Sequence, residues 1–194
     1  NVRCLSEGVD VPSLDGIAFI DPRRSQIDII QAVGRAIRLS SEKQKGTIVI
    51  PVFIEDDDDP ELAIKSSNFK PVWDVLNALK AHDGVLSDEL NQIRIQLGKI
   101  PNSSVASNSL TKIVFDLPRV IDESFVSNLR TCLVENTTES WMFWYGLLLK
   151  YQEEHGDCRV VQGYKTADGY TLGSWVSSQR KNKDTMSPER RERL

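Results

Sequence analysis

Two apolar, β-branched runs, at residues 16–20 and 46–54, flank a stretch whose apolar residues recur at helical rather than alternating spacing. Strand, helix and strand in that order, with short connections, predict two parallel strands joined by a crossover helix. On the middle helix, Ile29, Ile30, Val33 and Ile37 can turn toward the sheet. Gln31, Gly34, Arg35 and Arg38 then share a stripe on another side, one helical turn apart. Two guanidiniums beside a glycine suit the oxygens of a phosphate chain, because a planar, permanently charged fork matches phosphate geometry. A lone Arg-x-x-Arg pair on a solvated face would carry no such meaning.

The neighbourhood gives the pair its weight. Upstream, Glu7, Gly8, Asp10 and Pro12 form a strand end, a glycine turn and a carboxylate, placed where active residues of parallel sheets gather. These two stretches resemble motifs V and VI of the second RecA-like domain of superfamily 2 helicases, matched at Gly8, Asp10 and Pro12 and then at Gln31, Gly34, Arg35 and Arg38. The resemblance implies an ATP site completed from this side. Arg38 is then the arginine finger, Arg35 meets the γ-phosphate, and Gln31 contacts nucleotide or attacking water. Asp10 reaches toward the ribose or links the two sites, Gly34 lies against the cofactor, and Glu7 and Gly8 touch nucleic-acid phosphates. ATP with Mg2+ is expected to be held mainly by a first RecA-like domain, since neither a phosphate loop nor an acidic box of the expected type occurs in the 194 residues. The chain by itself is therefore not expected to hydrolyse ATP.

Composition excludes several other classes. With 40% hydrophobic and 27% charged residues the chain is ordinary globular protein. It contains no apolar run long enough for a membrane span and no leader, which suggests a cytoplasmic protein. Cys4, Cys132 and Cys158 are odd in number and far apart, with two histidines in the chain, so no metal site or disulfide framework is expected. Net charge is −4, unevenly spread. From Trp141 onward there are nine Lys and Arg against seven Asp and Glu, and the basic excess sits in Arg180, Lys181, Lys183, Arg190, Arg191 and Arg193.

The predicted fold class is α/β followed by all-α. Residues 1–55 read as the C-terminal portion of a RecA-like parallel-sheet domain, 60–100 as a helical connecting region, 101–120 as a linker and 121–194 as a small helical domain. The acidic run at residues 55–59 reads as a solvated loop at a domain edge. Phe69, Val72, Trp73, Leu76 and Leu79 predict one helix, and Leu86, Leu90, Ile93 and Leu97 a second, broken at His82, Asp83 and Gly84; His82 is read as structural. Phe125, Leu129 and Leu133 predict a third, capped by Asp122. Trp141, Leu148 and Tyr151 mark a fourth that stops at Gly156, and residues 172–180 a short fifth. Ser187 and Pro188 read as the cap and first residue of a last helix.

The pattern of Trp141, Leu148, Tyr151, Gly156, Tyr164, Gly169, Leu172, Gly173, Trp175 and Arg180 resembles the helicase-associated domain of bacterial superfamily 2 proteins. That resemblance implies nucleic-acid binding by this module, with DNA the expected partner, while DNA and RNA both stay open as the substrate of the whole protein. Trp175 and Val176 are expected to close a core with Trp141 and Leu148, with Tyr164 and Tyr170 in it. Gln179, Arg180, Lys181 and Lys183 are expected outward, the three cations on phosphates. A chain cut from a longer helicase or translocase fits these readings. The rival is a non-catalytic binding or scaffolding module.

Overall fold

The computed structural model describes residues 16–19, 29, 33–34, 47–52, 64, 69–103, 110–113 and 123–194. The regular elements among these residues are helices apart from a small parallel sheet. Strand β1 (Gly16–Ala18) pairs with β2 (Thr47–Val49) in parallel, with Ile17 opposite Ile48, and the Phe19 amide extends the ladder by donating to Val49 O at 2.9 Å. Both strands are exposed at alternate residues rather than buried throughout, as the apolar runs had suggested; Val49 is 52% exposed. Side chains alternate across a strand, and the described residues cover only the face bearing Ile17, Phe19, Ile48 and Ile50. Ile29, Val33 and Gly34 are helical, and Ile29 and Val33 are buried in that same cluster, as the spacing predicts.

Helix α1 (Lys70–His82) starts with a proline in its first turn, where a missing amide costs nothing, and sends Val75 and Ala78 into the cluster with Phe19, Ile29 and Val33. Part of the segment read as connecting thus forms the core of the first unit. Helix α2 (Gly84–Lys99) follows without a loop. Asp83 caps it, Oδ1 accepting from the amides of Val85 at 2.9 Å and Leu86 at 3.1 Å, while Oδ2 lies 3.6 Å from Lys112 Nζ. Helix α3 (Glu123–Thr137) buries Phe125, Leu129, Leu133 and Val134 and packs on α1. Asp122, its expected cap, lies outside the described residues. Lys80 donates to Thr137 O at 2.6 Å, where a cation meets the end of a helix.

The chain divides into two compact units, residues 1–90 with 104–138, and residues 91–103 with 139–194. These boundaries differ from those drawn on composition, since α3 belongs to the first unit and the second half of α2 to the second. The described residues of the segment read as a linker are anchored at two places. Asn102 Nδ2 donates to Asp168 Oδ1 at 3.2 Å in the second unit; in the first, Leu110 is buried and Thr111 donates twice to Glu89 Oε1.

The second unit is built on α4 (Ser140–His155), with α5 (Leu172–Lys181), a 3-10 turn (Lys183–Thr185) and α6 (Pro188–Arg193). Helix α4 ends at Gly156, whose φ of 81° is the left-handed conformation that lets its amide reach Gln152 O at 2.8 Å. The α2 segment crosses α4 at Gly98 and Gly146. A Cβ on Gly98 would collide with Phe143 O, and one on Gly146 with Ile95 O, so the two backbones meet without side chains between them. Around this crossing Ile95 packs with Trp141 and Met142, and Lys99 pairs with Glu153 at 2.5 Å. Leu147, Leu148, Val160, Leu172 and Val176 make the remaining core, edged by Tyr151, Tyr164, Tyr170 and Trp175. Tyr164 and Tyr170, expected in the core, are half-buried against its edge.

Candidate nucleic-acid interface

The described chemistry concentrates on α4. An i, i+3 and i, i+4 spacing puts Trp141, Trp144 and Tyr145 on neighbouring rows. Trp175 on α5 completes the group: its ring stacks with Trp144 at 6.1 Å between centroids and meets Trp141 tilted at 5.9 Å. Trp141 also stacks with Tyr145 at 5.2 Å. Trp141 Nε1 donates to Gln179 Oε1 at 3.1 Å, which satisfies an indole donor that burial would otherwise strand. Gln179 is therefore half-buried and faces inward, a correction to its expected outward placement, because its side-chain oxygen accepts from that indole.

Helix α6 lies over this group through arginines. Ser187 accepts from the Arg190 amide at 3.4 Å at the start of the helix. The Arg190 guanidinium sits 5.3 Å over the Trp141 ring and pairs with Glu139, and Arg193 lies 5.9 Å over Tyr145 while pairing with Glu189. Arg191 Nη2 donates to Lys183 O at 2.8 Å. No residue of α6 is buried, so contacts of this kind rather than apolar packing hold it. Glu139, Ser140, Trp141, Trp144, Trp175 and Arg190 enclose an open hollow of about 430 Å3. Sequence reading did not single out Glu139, Trp144 or Arg190 as a group. The available signal was an arginine pair one turn apart on one helix, Arg190 and Arg193, matching an aromatic pair one turn apart on another, Trp141 and Tyr145.

Of the cations expected on phosphates, Arg180, Lys181 and Lys183 are all exposed, at the end of α5 and in the turn that follows. Arg180 donates to Cys158 O at 3.1 Å, which holds its fork at the surface. Glu7, Gly8, Asp10, Gln31, Arg35 and Arg38 lie outside the described residues, as does the acidic run at 55–59. Gly34 is described, and His82, the last residue of α1, fills the space beside it: a Cβ at Gly34 would stand 3.2 Å from His82 Nε2. The glycine thus admits an imidazole, a packing reason for its lack of a side chain. That contact neither favours nor opposes a nucleotide on other sides of the helix. Among the described residues no group of three His, Cys, Asp or Glu could hold a metal ion, and no helix is long and apolar enough to cross a membrane.

Comparison with known proteins locates these features. Residues 138–194 match the family model of the helicase-associated domain. Probable helicases of African swine fever virus isolates are 40% identical over 52 residues, which is 27% of this chain and 6% of the viral protein. Among solved structures, the ATP-dependent Type ISP restriction-modification enzyme LlaBIII bound to DNA aligns with 96% of this chain and 11% of its own, at 25% identity and a TM-score of 0.51. The chain therefore spans a small part of each of these relatives; it resembles helicases in sequence, through the viral proteins and the helicase-associated match at residues 138–194, and resembles the restriction-modification enzyme in fold.

Proposed function

We propose that this chain, with a helicase-associated domain at residues 138–194, is the C-terminal segment of an ATP-dependent helicase or translocase, combining one half of an ATP site with an accessory DNA-binding module. The observation that carries the reading is the order of parts. Two parallel strands with the helical residues Ile29, Val33 and Gly34 between them in sequence precede a helicase-associated domain, and the structural likeness, over 96% of this chain, is to a DNA-bound, ATP-dependent enzyme.

In this reading residues 1–55 are the end of a RecA-like domain, and Gln31, Arg35, Arg38 and Asp10 would hold ATP that a first RecA-like domain of the same protein presents with Mg2+. The nucleotide would supply a phosphoanhydride whose cleavage drives domain motion. Arg38 stabilises negative charge developing on the transferred group, and Arg35 orients it, an effect worth several powers of ten in rate. Ile29 and Val33, buried in the cluster with Phe19 and Val75, would fix the chain next to these groups. Gly8 and Glu7 meet the phosphates of the strand. Arg180, Lys181 and Lys183 supply further, sequence-independent phosphate contact.

Two experiments test this. In the full-length protein, Arg38→Ala should abolish nucleic-acid-stimulated ATP hydrolysis; unchanged turnover would leave the scaffolding alternative. Reversing Arg180, Lys181 and Lys183 to glutamate should weaken DNA binding and flatten its dependence on salt by about three charges' worth. An unaltered slope would remove these residues from the interface.

A further inference from the structure

The hollow on α4 is more than a place where α6 rests. Three indoles line it, two of them half-buried and so partly open, yet its rim carries both a cation and an anion, Arg190 and Glu139. Its volume falls within the range of small-ligand sites, roughly 300–1,000 Å3. The segment that closes it, residues 172–194, holds six Lys and Arg against three Asp and Glu, so an occupant approaching from solvent meets net positive charge. An aromatic floor with a cationic rim suits a flat, π-faced group attached to an anion, which describes one nucleotide of a single strand.

We infer that this hollow is a stacking site for one unpaired nucleobase of single-stranded nucleic acid, with Arg190 exchanging Glu139 for the adjoining phosphate. The inference rests on the nucleic-acid reading above and adds the strand state and the contact. Arg190 is already poised for the exchange. Its guanidinium is held by an exposed carboxylate, 63% exposed at the side chain, and by a ring face, so a phosphate can replace the first without disturbing the second. Because α6 buries no residue of its own, it can shift to admit a base without opening an apolar core. Trp144 and Trp175 then provide the stacking surface, and Gln179 keeps Trp141 in place from below. The contact is indifferent to base identity, since every base has a π-face. It discriminates against a duplex, whose bases are already stacked.

The test uses the whole chain with fluorescein-labelled oligodeoxythymidine of about fifteen nucleotides, the same strand made abasic, and a duplex of equal length. The intact strand should quench tryptophan emission and bind about tenfold more tightly than the abasic strand, the scale of one stacked base. Trp144→Leu should erase that difference and leave abasic binding unchanged, and Glu139→Gln should tighten binding of the intact strand. If Trp144→Leu loses its near-ultraviolet circular dichroism, intact against abasic binding to the unaltered chain decides alone. Equal affinity for the two strands, with phosphate binding retained, overturns the stacking site and leaves the nucleic-acid reading standing; binding to neither strand overturns both. An affinity of Glu139→Gln no higher than the parent's overturns the exchange at Arg190.

Discussion

The two units solve the same packing problem with different side chains. In the first, aliphatic groups dominate: Ile29, Val33, Val75 and Ala78 gather with Phe19 under the sheet, and Leu133 and Val134 are fully buried in α3. In the second, an aliphatic core of Leu147, Leu148, Val160, Leu172 and Val176 is extended by Trp141, Trp144, Tyr145 and Trp175, which stack along α4 and α5 while arginines cap them from outside. Aliphatic side chains have no face to offer once buried. Aromatic ones keep a polarisable surface and a quadrupole that attracts cations, so the second unit can build a core and still present a binding surface with the same residues. The difference implies that damage to the first unit registers as lost stability, whereas damage to the second registers as lost stability, lost binding or both.

The largest effect should come from the aliphatic side. Leu133→Ala removes a wholly buried side chain and should cost roughly 2–5 kcal/mol, read as a lower denaturation midpoint. Strand binding by whatever fraction stays folded should be unaltered. A drop in that affinity would break the separation between units.

Next comes the helix crossing. Gly146→Ala would gain up to about 1 kcal/mol of helix propensity. The added carbon meets Ile95 O, and overpacking of this kind costs about 1–3 kcal/mol, so the collision decides the sign. Thermal unfolding followed by near-ultraviolet circular dichroism, where the stacked indoles dominate, should show the loss. An unchanged or raised midpoint would mean that the two backbones can part freely.

The smallest effect belongs to the cap at Asp83. The Leu86 amide above all, helped by the Lys112 charge and the Val85 amide, holds its carboxyl below the usual carboxylate range despite a smaller opposing effect of burial. A carboxyl depressed in the folded state stabilises fully above its unfolded value, and that contribution is lost as pH falls through the lower folded one. Asp83→Ala should therefore cost about 1 kcal/mol near neutrality and progressively less in acid, measured by urea midpoints across pH. A difference that stays constant with pH would show that the cap acts through something other than its charge.

Helix boundaries were legible because their signals are local. Asp83 before α2, Gly156 after α4, and Ser187 with Pro188 before α6 each act within a few residues of themselves, and each is found where the spacing puts it. The apolar runs that revealed β1 and β2 were equally readable, although they overstated how much of each strand is covered. The candidate site was legible in part. Arg180, Lys181 and Lys183 stand at the surface as their position after an apolar stripe suggested, while the hollow formed by Glu139, Trp144 and Arg190 was not foreseen. Its members come from segments about fifty residues apart, and no periodicity within one helix records which partner the next will bring.

What the amino-acid order by itself determined, then, is the set of helices, their ends, their apolar faces and the likeness to a helicase-associated domain. Only the tertiary structure decided that α2 contributes to both units, that α3 belongs with α1, and that an arginine of α6 closes the aromatic group of α4. The physical reason is range. Caps and stripes depend on hydrogen bonds and side-chain spacing along one segment, whereas these choices depend on where two backbones can touch, as at Gly98 and Gly146, and on which distant charge finds a ring face uncovered.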